Sequence, residues 1–226
     1  MFTITIDGKA GCGKSSIAKE LSKRLNIKNF NTGAVYRAIT CEYKSLYHHK
    51  NPTSQIIEEF VKNLNVEVVF KDDQQVVLVN GNDYTKNLRE EEISNFVAII
   101  SPFDLIRQKV RQIQRNFAKN NDCIVEGRDI GTVVLPNAQC KFFITASNEV
   151  RAQRRYEQLK GTPDCPTFEQ LLRELNDRDY ADINREHGAL LPSEDSIIID
   201  NTNETLEQTL DRCEGIVRKL MNADKN

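Results

Sequence analysis

Gly8, Gly11 and Gly13 lead directly into Lys14 and Ser15, and the stretch from residue 8 fits the spacing G-x-x-x-x-G-K-[ST]. Glycines packed this closely let the backbone turn tightly and bring its N–H groups up to an oxyanion. A lysine at that place can bridge the β- and γ-phosphates of ATP, and a serine hydroxyl can ligate the Mg²⁺ that travels with them. The candidate ATP-binding residues are therefore Gly8, Lys9, Ala10, Gly11, Cys12, Gly13, Lys14, Ser15 and Ser16, with Ser15 the candidate metal ligand. Such a loop needs a strand before it and a helix after it. Phe2 to Ile6 alternates β-branched and aromatic residues, which predicts a strand that is buried at once. Ile17, Leu21 and Leu25 recur at i, i+4 and i+8, the apolar stripe of an amphipathic helix whose positive dipole end points at the same anion.

A phosphate loop alone does not choose between motors, switches and kinases. No N-K-x-D segment for reading guanine is present, and the chain is too short for the second lobe of a helicase or transporter motor. A small kinase needs a second anion-binding surface, and arginines supply candidates for it. In Asn31-Thr32-Gly33-Ala34-Val35-Tyr36-Arg37, Thr32 reads as a helix N-cap with Tyr36 and Arg37 on the first turns. Cys123 to Glu126 reads as a short apolar strand running into Gly127-Arg128-Asp129-Ile130-Gly131-Thr132, and ligands of α/β sheets sit just past the carboxyl ends of strands. Arg151, Arg154 and Arg155 share one helix face, where like charges repel unless an anion joins them. Arg178, Asp182 and Arg185 share another. The plain alternative for each group is a solvated face, with an Arg178–Asp182 ion pair contributing about 0.2–1 kcal/mol.

The 226 residues are 39% hydrophobic and 28% charged with a net charge of −2, a globular composition that argues against disorder and against a general nucleic-acid coat. No apolar run approaches the ~18 residues of a membrane span. The start MFTITIDGKAG lacks a basic region followed by an apolar stretch. Six cysteines form no C-x-x-C pair. The expectation is a cytoplasmic protein with free thiols and no nucleic-acid or membrane partner, by default a monomer.

Taken together, ITIDGKAGCGKSS, NTGAVYRAIT, IVEGRDIGTVVLP, FFITAS-NEVRAQRR, NDRDYADINRE and IIIDNT resemble the cytidylate kinase family, the bacterial-type CMP kinases, in family order over nearly the whole chain. The resemblance implies an α/β fold: a P-loop parallel β-sheet core flanked by helices, with a small antiparallel β insertion in the nucleoside-monophosphate-binding part and a short helical lid. The whole of 1–226 is then one kinase domain, with the insertion at about 63–90 and the lid at about 151–167. Val66 to Phe70 and Gln75 to Val79 agree, being β-rich runs separated by Lys71-Asp72-Asp73-Gln74 and followed by an Asn80-Gly81 turn. The implied reaction converts ATP and CMP or dCMP into ADP and CDP or dCDP, with Mg²⁺. Arg37, Arg128 and Arg185 would hold the acceptor phosphate, Thr32 and Tyr36 would frame its pocket, and Arg178 and Asp182 would face the sugar. Arg107 and Asp129 would read the base, the carboxylate accepting from the cytosine amine where uracil presents a carbonyl. Lys14, Arg128, Arg151 and Arg155 would neutralise the transferring phosphoryl group. Ala98 stands where many relatives have a base-contacting serine, with Ser101 nearby, so weaker discrimination of CMP from UMP is expected. The alternatives are a small kinase acting on UMP, dTMP or a non-nucleotide acceptor, and a nucleotide-dependent regulatory switch.

Overall fold

In the computed structural model, the described residues are 1–48, 50–72, 74–88, 91–162 and 165–223. The chain divides into two compact units, one made of Met1–Asn29 with Asn121–Asn226 and the other of Phe30–Asn120.

The first unit is built on β1 (Thr3–Gly8), buried along its whole length. It is buried because it pairs in parallel with β6 (Cys123–Glu126) on one side and β7 (Cys140–Thr145) on the other. β8 (Ile197–Asp200) pairs in parallel with β7. With β2 (Lys28–Asn31), whose last residues open the second unit, the strand order is β2-β6-β1-β7-β8. Helix α1 (Lys14–Leu25) presents Ile17, Ala18 and Leu21 to the sheet, the face its periodicity predicted, and α8 (Leu206–Ala223) adds Leu210, Cys213 and Val217. These side chains close one core with Ile4, Ile6, Ile124, Phe142, Ile144 and Ile199. Helices α6 (Asn148–Leu159) and α7 (Phe168–Ile183) belong to the same unit, and a capping box between Thr167 and Gln170 starts α7. Pro163 and Asp164, within the expected lid, lie outside the described residues.

The second unit holds α2 (Thr32–Tyr47), α3 (Ser54–Lys62), α4 (Glu91–Ile100) and α5 (Asp104–Asn120) around a three-stranded antiparallel sheet. Its strands are β3 (Val66–Lys71), β4 (Gln74–Val79) and β5 (Asn82–Asp83). The expected hairpin is there: β3 and β4 pair antiparallel with Lys71 opposite Gln74, and Asp73 lies outside the described residues. Asn80 and Gly81 both take positive φ, as a tight right-twisted hairpin turn requires. The little sheet is tied to α2 by the buried Glu42 carboxylate, which accepts from Asn80 Nδ2 at 2.7 Å and from the Tyr84 hydroxyl at 2.5 Å. One local expectation is corrected. The cap of α2 is Asn31, whose side chain accepts from Ala34 N at 2.8 Å; Thr32 is the first helical residue.

Among the described residues no helix is long and apolar enough to cross a membrane. Of the six cysteines, all reduced, Cys165 alone is half-buried and the other five are buried. Burial pushes the thiols of Cys123, Cys140 and Cys213 up to about 12.

Candidate functional site

The phosphate loop leaves the sheet at the carboxyl end of β1, a central strand. Gly8 has φ 145°, and a Cβ there would collide with the carbonyl oxygen of Ile144 on β7, so the loop's first residue can only be glycine. Gly11 and Gly13 also take positive φ, and Gly13 caps α1 in the left-handed region. Lys14 Nζ donates to the Lys9 carbonyl at 2.7 Å, and Cys12 Sγ lies 3.0 Å from the same oxygen. Burial, with the Arg128 guanidinium nearby, lowers the Lys14 ammonium from 10.5 to about 8. Its charge is thus poorly solvated and gains much from an arriving anion.

Directly beside this loop, at the end of β6, lies the Gly127–Asp129 turn. Five hydrogen bonds join the two segments. Gly127 N donates to Ile6 O at 3.0 Å. Arg128 Nη1 donates to the Gly8 carbonyl at 2.6 Å. Ser15 Oγ donates to Glu126 Oε2 at 2.7 Å. The Asp7 carboxylate accepts from Ile130 N at 2.9 Å and Gly131 N at 2.7 Å. Arg128 also pairs through Nε with Asp182 on α7 at 2.9 Å, and Asp182 pairs with Arg185. The sequence-predicted Arg128, Asp182 and Arg185 are therefore one connected group in the first unit, next to the phosphate loop.

The three arginines of α6 part company. Arg151 is fully buried: its guanidinium donates to Ala10 O at 2.8 Å, Ala146 O at 3.2 Å, Asn148 Oδ1 at 2.5 Å and Asp179 Oδ2 at 2.6 Å. In this arrangement it holds the phosphate-loop backbone and does not present an open cation. Arg154 grips Asn201 just past β8, at 2.9 Å to both the side-chain oxygen and the carbonyl. Asn201 in turn donates to Cys12 O at 2.9 Å. Arg155 is exposed on α6, and Arg178 is exposed on α7.

A family comparison fits this arrangement. The profile described as "Cytidylate kinase" matches residues 4–219. The chain belongs to the cytidylate kinase family. It is 37% identical to the cytidylate kinase of Clostridium tetani over 98% of this chain and 96% of that one. It is 38% identical to the cytidylate kinase of Thermotoga maritima, covering 98% and 99%. To that of Clostridium botulinum strain Okra it is 40% identical, covering 96% and 98%. A crystal structure of an uncharacterized protein from Eubacterium ventriosum superposes with a TM-score of 0.51 at 14% identity, covering 98% of each chain, a likeness of fold.

The remaining residues that the family resemblance points to lie in the second unit. Thr32 is buried and its hydroxyl accepts from Gln114 Nε2 at 2.7 Å. Tyr36 and Arg37 are half-buried on α2, and the Arg37 guanidinium lies over Gly33, where a Cβ would meet it at 3.1 Å. Arg107 is buried on α5. Ala98 is exposed on α4, whereas Ser101, just past that helix, is buried. Four residues had no assigned role in the sequence. Asp7 and Glu126 carried a usable signal, each being an acid at the end of an apolar strand. Asp179 and Asn201 carried none, since only long-range contacts identify them.

Proposed function

We propose that this protein transfers the γ-phosphoryl group of ATP to the phosphate of CMP or dCMP, in line with the family to which it belongs. An oxygen of the acceptor phosphate forms the new bond to the γ-phosphorus as the bond to the β–γ bridging oxygen breaks, and ADP leaves. No side-chain nucleophile is needed, because the acceptor phosphate is already ionised. Catalysis is then positioning and charge neutralisation. The observation that carries the proposal is Arg128: it follows β6, donates to the first carbonyl of the phosphate loop and is steered by Asp182.

In this reading Gly8 to Ser16 cradle the ATP phosphates, with Lys14 as the main cation. Arg128, Arg185 and Arg37 hold the acceptor phosphate, and Arg155 on the lid of about 151–167 supplies charge on closure. Arg151 acts one step back, by fixing Ala10. Thr32 and Tyr36 frame the acceptor, Arg178 and Asp182 take its sugar, and Arg107 with Asp129 read cytosine. A Mg²⁺ ion suits the donor set: the Ser15 hydroxyl and the Glu126 carboxylate are hard oxygen groups 2.7 Å apart. Among the described residues no cluster of three acids, histidines or cysteines competes for a metal, which fits an ion bound mostly by phosphates and water. When bound, it would offset phosphate charge. The net charge of −2 supports small-molecule partners over nucleic acid, and a cytoplasmic monomer completes the proposal.

The test is ADP formation from Mg·ATP with CMP, dCMP, UMP, AMP and dTMP offered separately. Turnover driven chiefly by CMP and dCMP is expected. Turnover independent of all five would overturn the proposal.

A further inference from the structure

The turn that carries Arg128 and Asp129 continues into five residues of π-helix, Ile130–Val134. Like any helical start, it leaves its first N–H groups without partners inside the turn. Asp129 occupies the position from which a side chain ordinarily caps them, yet its carboxylate makes no such bond. The partner comes from another strand. Asp7, the next-to-last residue of β1 and only 5% exposed, accepts from Ile130 N with one oxygen and from Gly131 N with the other. The approach is tight: a Cβ on Gly131 would stand 3.0 Å from Thr5 Oγ1 and 3.4 Å from Asp7 Oδ2.

We propose that Asp7 is the positioning residue of the acceptor-binding turn, capping it from β1 so that Arg128 is fixed against the phosphate loop and the Asp129 carboxylate is not used up on the turn's own N–H groups. The role rests on the reading given above for Arg128 and Asp129. Asparagine at position 7 keeps the shape but replaces one acceptor oxygen by an –NH2 group, which must face a backbone N–H. The turn then loses one charge-assisted bond and gains a donor–donor contact.

The experiment compares the full-length wild type with Asp7→Asn and, as an independent perturbation that leaves the carboxylate in place, Gly131→Ala. Three quantities are read: hydrogen exchange of the 127–135 segment, the dissociation constant of Mg·ATP, and kcat and KM for CMP. In both variants exchange of that segment should quicken about tenfold, with CMP KM rising by a similar factor, as loss of such a bond implies. ATP affinity should stay within about twofold, since the backbone cradle is untouched. Unchanged exchange and KM in Asp7→Asn would overturn the proposal. A parallel loss of ATP affinity would also overturn it, by making Asp7 a support of the whole core. If the wild type shows no CMP turnover, the reading of the acceptor fails on its own, while the exchange data still decide whether Asp7 holds the turn.

Discussion

Asp7 shows how a residue can be costly to stability and still be kept. Burial is the largest influence on its carboxyl and pushes it from 3.8 up to about 6, against the pull of the Ile130 and Gly131 N–H groups. A folded pKa above the unfolded one means that the native state binds the proton more tightly. Stability from this group is therefore greatest below pH 3.8 and is lost as pH rises to about 6. The loss is on the order of 3 kcal/mol at about 1.4 kcal/mol per pKa unit. Urea unfolding measured from pH 4 to pH 7 should show this falling contribution, and Asp7→Asn should remove it; an identical pH profile in the variant would contradict the assignment. Arg151 stands at the opposite pole, being fully buried with its charge met by Asp179. Arg151→Met should cost about 3 kcal/mol, because the buried Asp179 carboxylate loses its close partner and keeps only the Lys9 ammonium at 3.9 Å. A shift of the urea midpoint at unchanged slope is the measurement that checks it. Neither residue announced this in the sequence. Asp7 stood just past the predicted strand, an acid whose partners no local pattern names, and an arginine followed by two others at helical spacing reads as a wet or anion-binding face, because buried arginines are rare.

At the scale of elements, what was legible is what local chemistry decides. The glycine spacing after β1, the stripe of α1 and the hairpin with its Asn-Gly turn all rest on neighbours a few residues apart, and all are present. Where two neighbours could do one job, the choice was not legible. Asn31 and Thr32 are both good caps, and the extended backbone at Asn31 selects it. Nor does any local pattern show that the start of α1 is bonded to the end of β6 through Ser15 and Glu126, although parallel neighbours sharing a carboxyl end are where ligands gather. Helix α4 carries a substitution test of its own. If its exposed Ala98 is the position that relatives fill with a base-contacting serine, Ala98→Ser should raise the CMP-over-UMP ratio of kcat/KM roughly five- to tenfold, one hydrogen bond's contribution. An unchanged ratio would move attention to the buried Ser101.

For the molecule as a whole, the two compact units each carry part of the proposed machinery, with the phosphate loop and its wired neighbour in one and the small sheet and α2 in the other. The family resemblance implied the small sheet as an insertion; that α2, α3, α4 and α5 join it in a unit of their own follows from long-range packing that periodicity does not encode. The uneven burial of the cysteines has a practical consequence. Five thiols are sealed inside and only Cys165, next to the start of α7, is half-buried. A thiol reagent added to the native protein should therefore modify one site rapidly and the other five only after denaturant is added, and more than one fast site would contradict the burial pattern. The chain thus comes with a single addressable handle in the lid proposed for about 151–167. A dye placed there, with no cysteine engineered in or out, would report the proposed lid closure on ATP and CMP as a change in fluorescence.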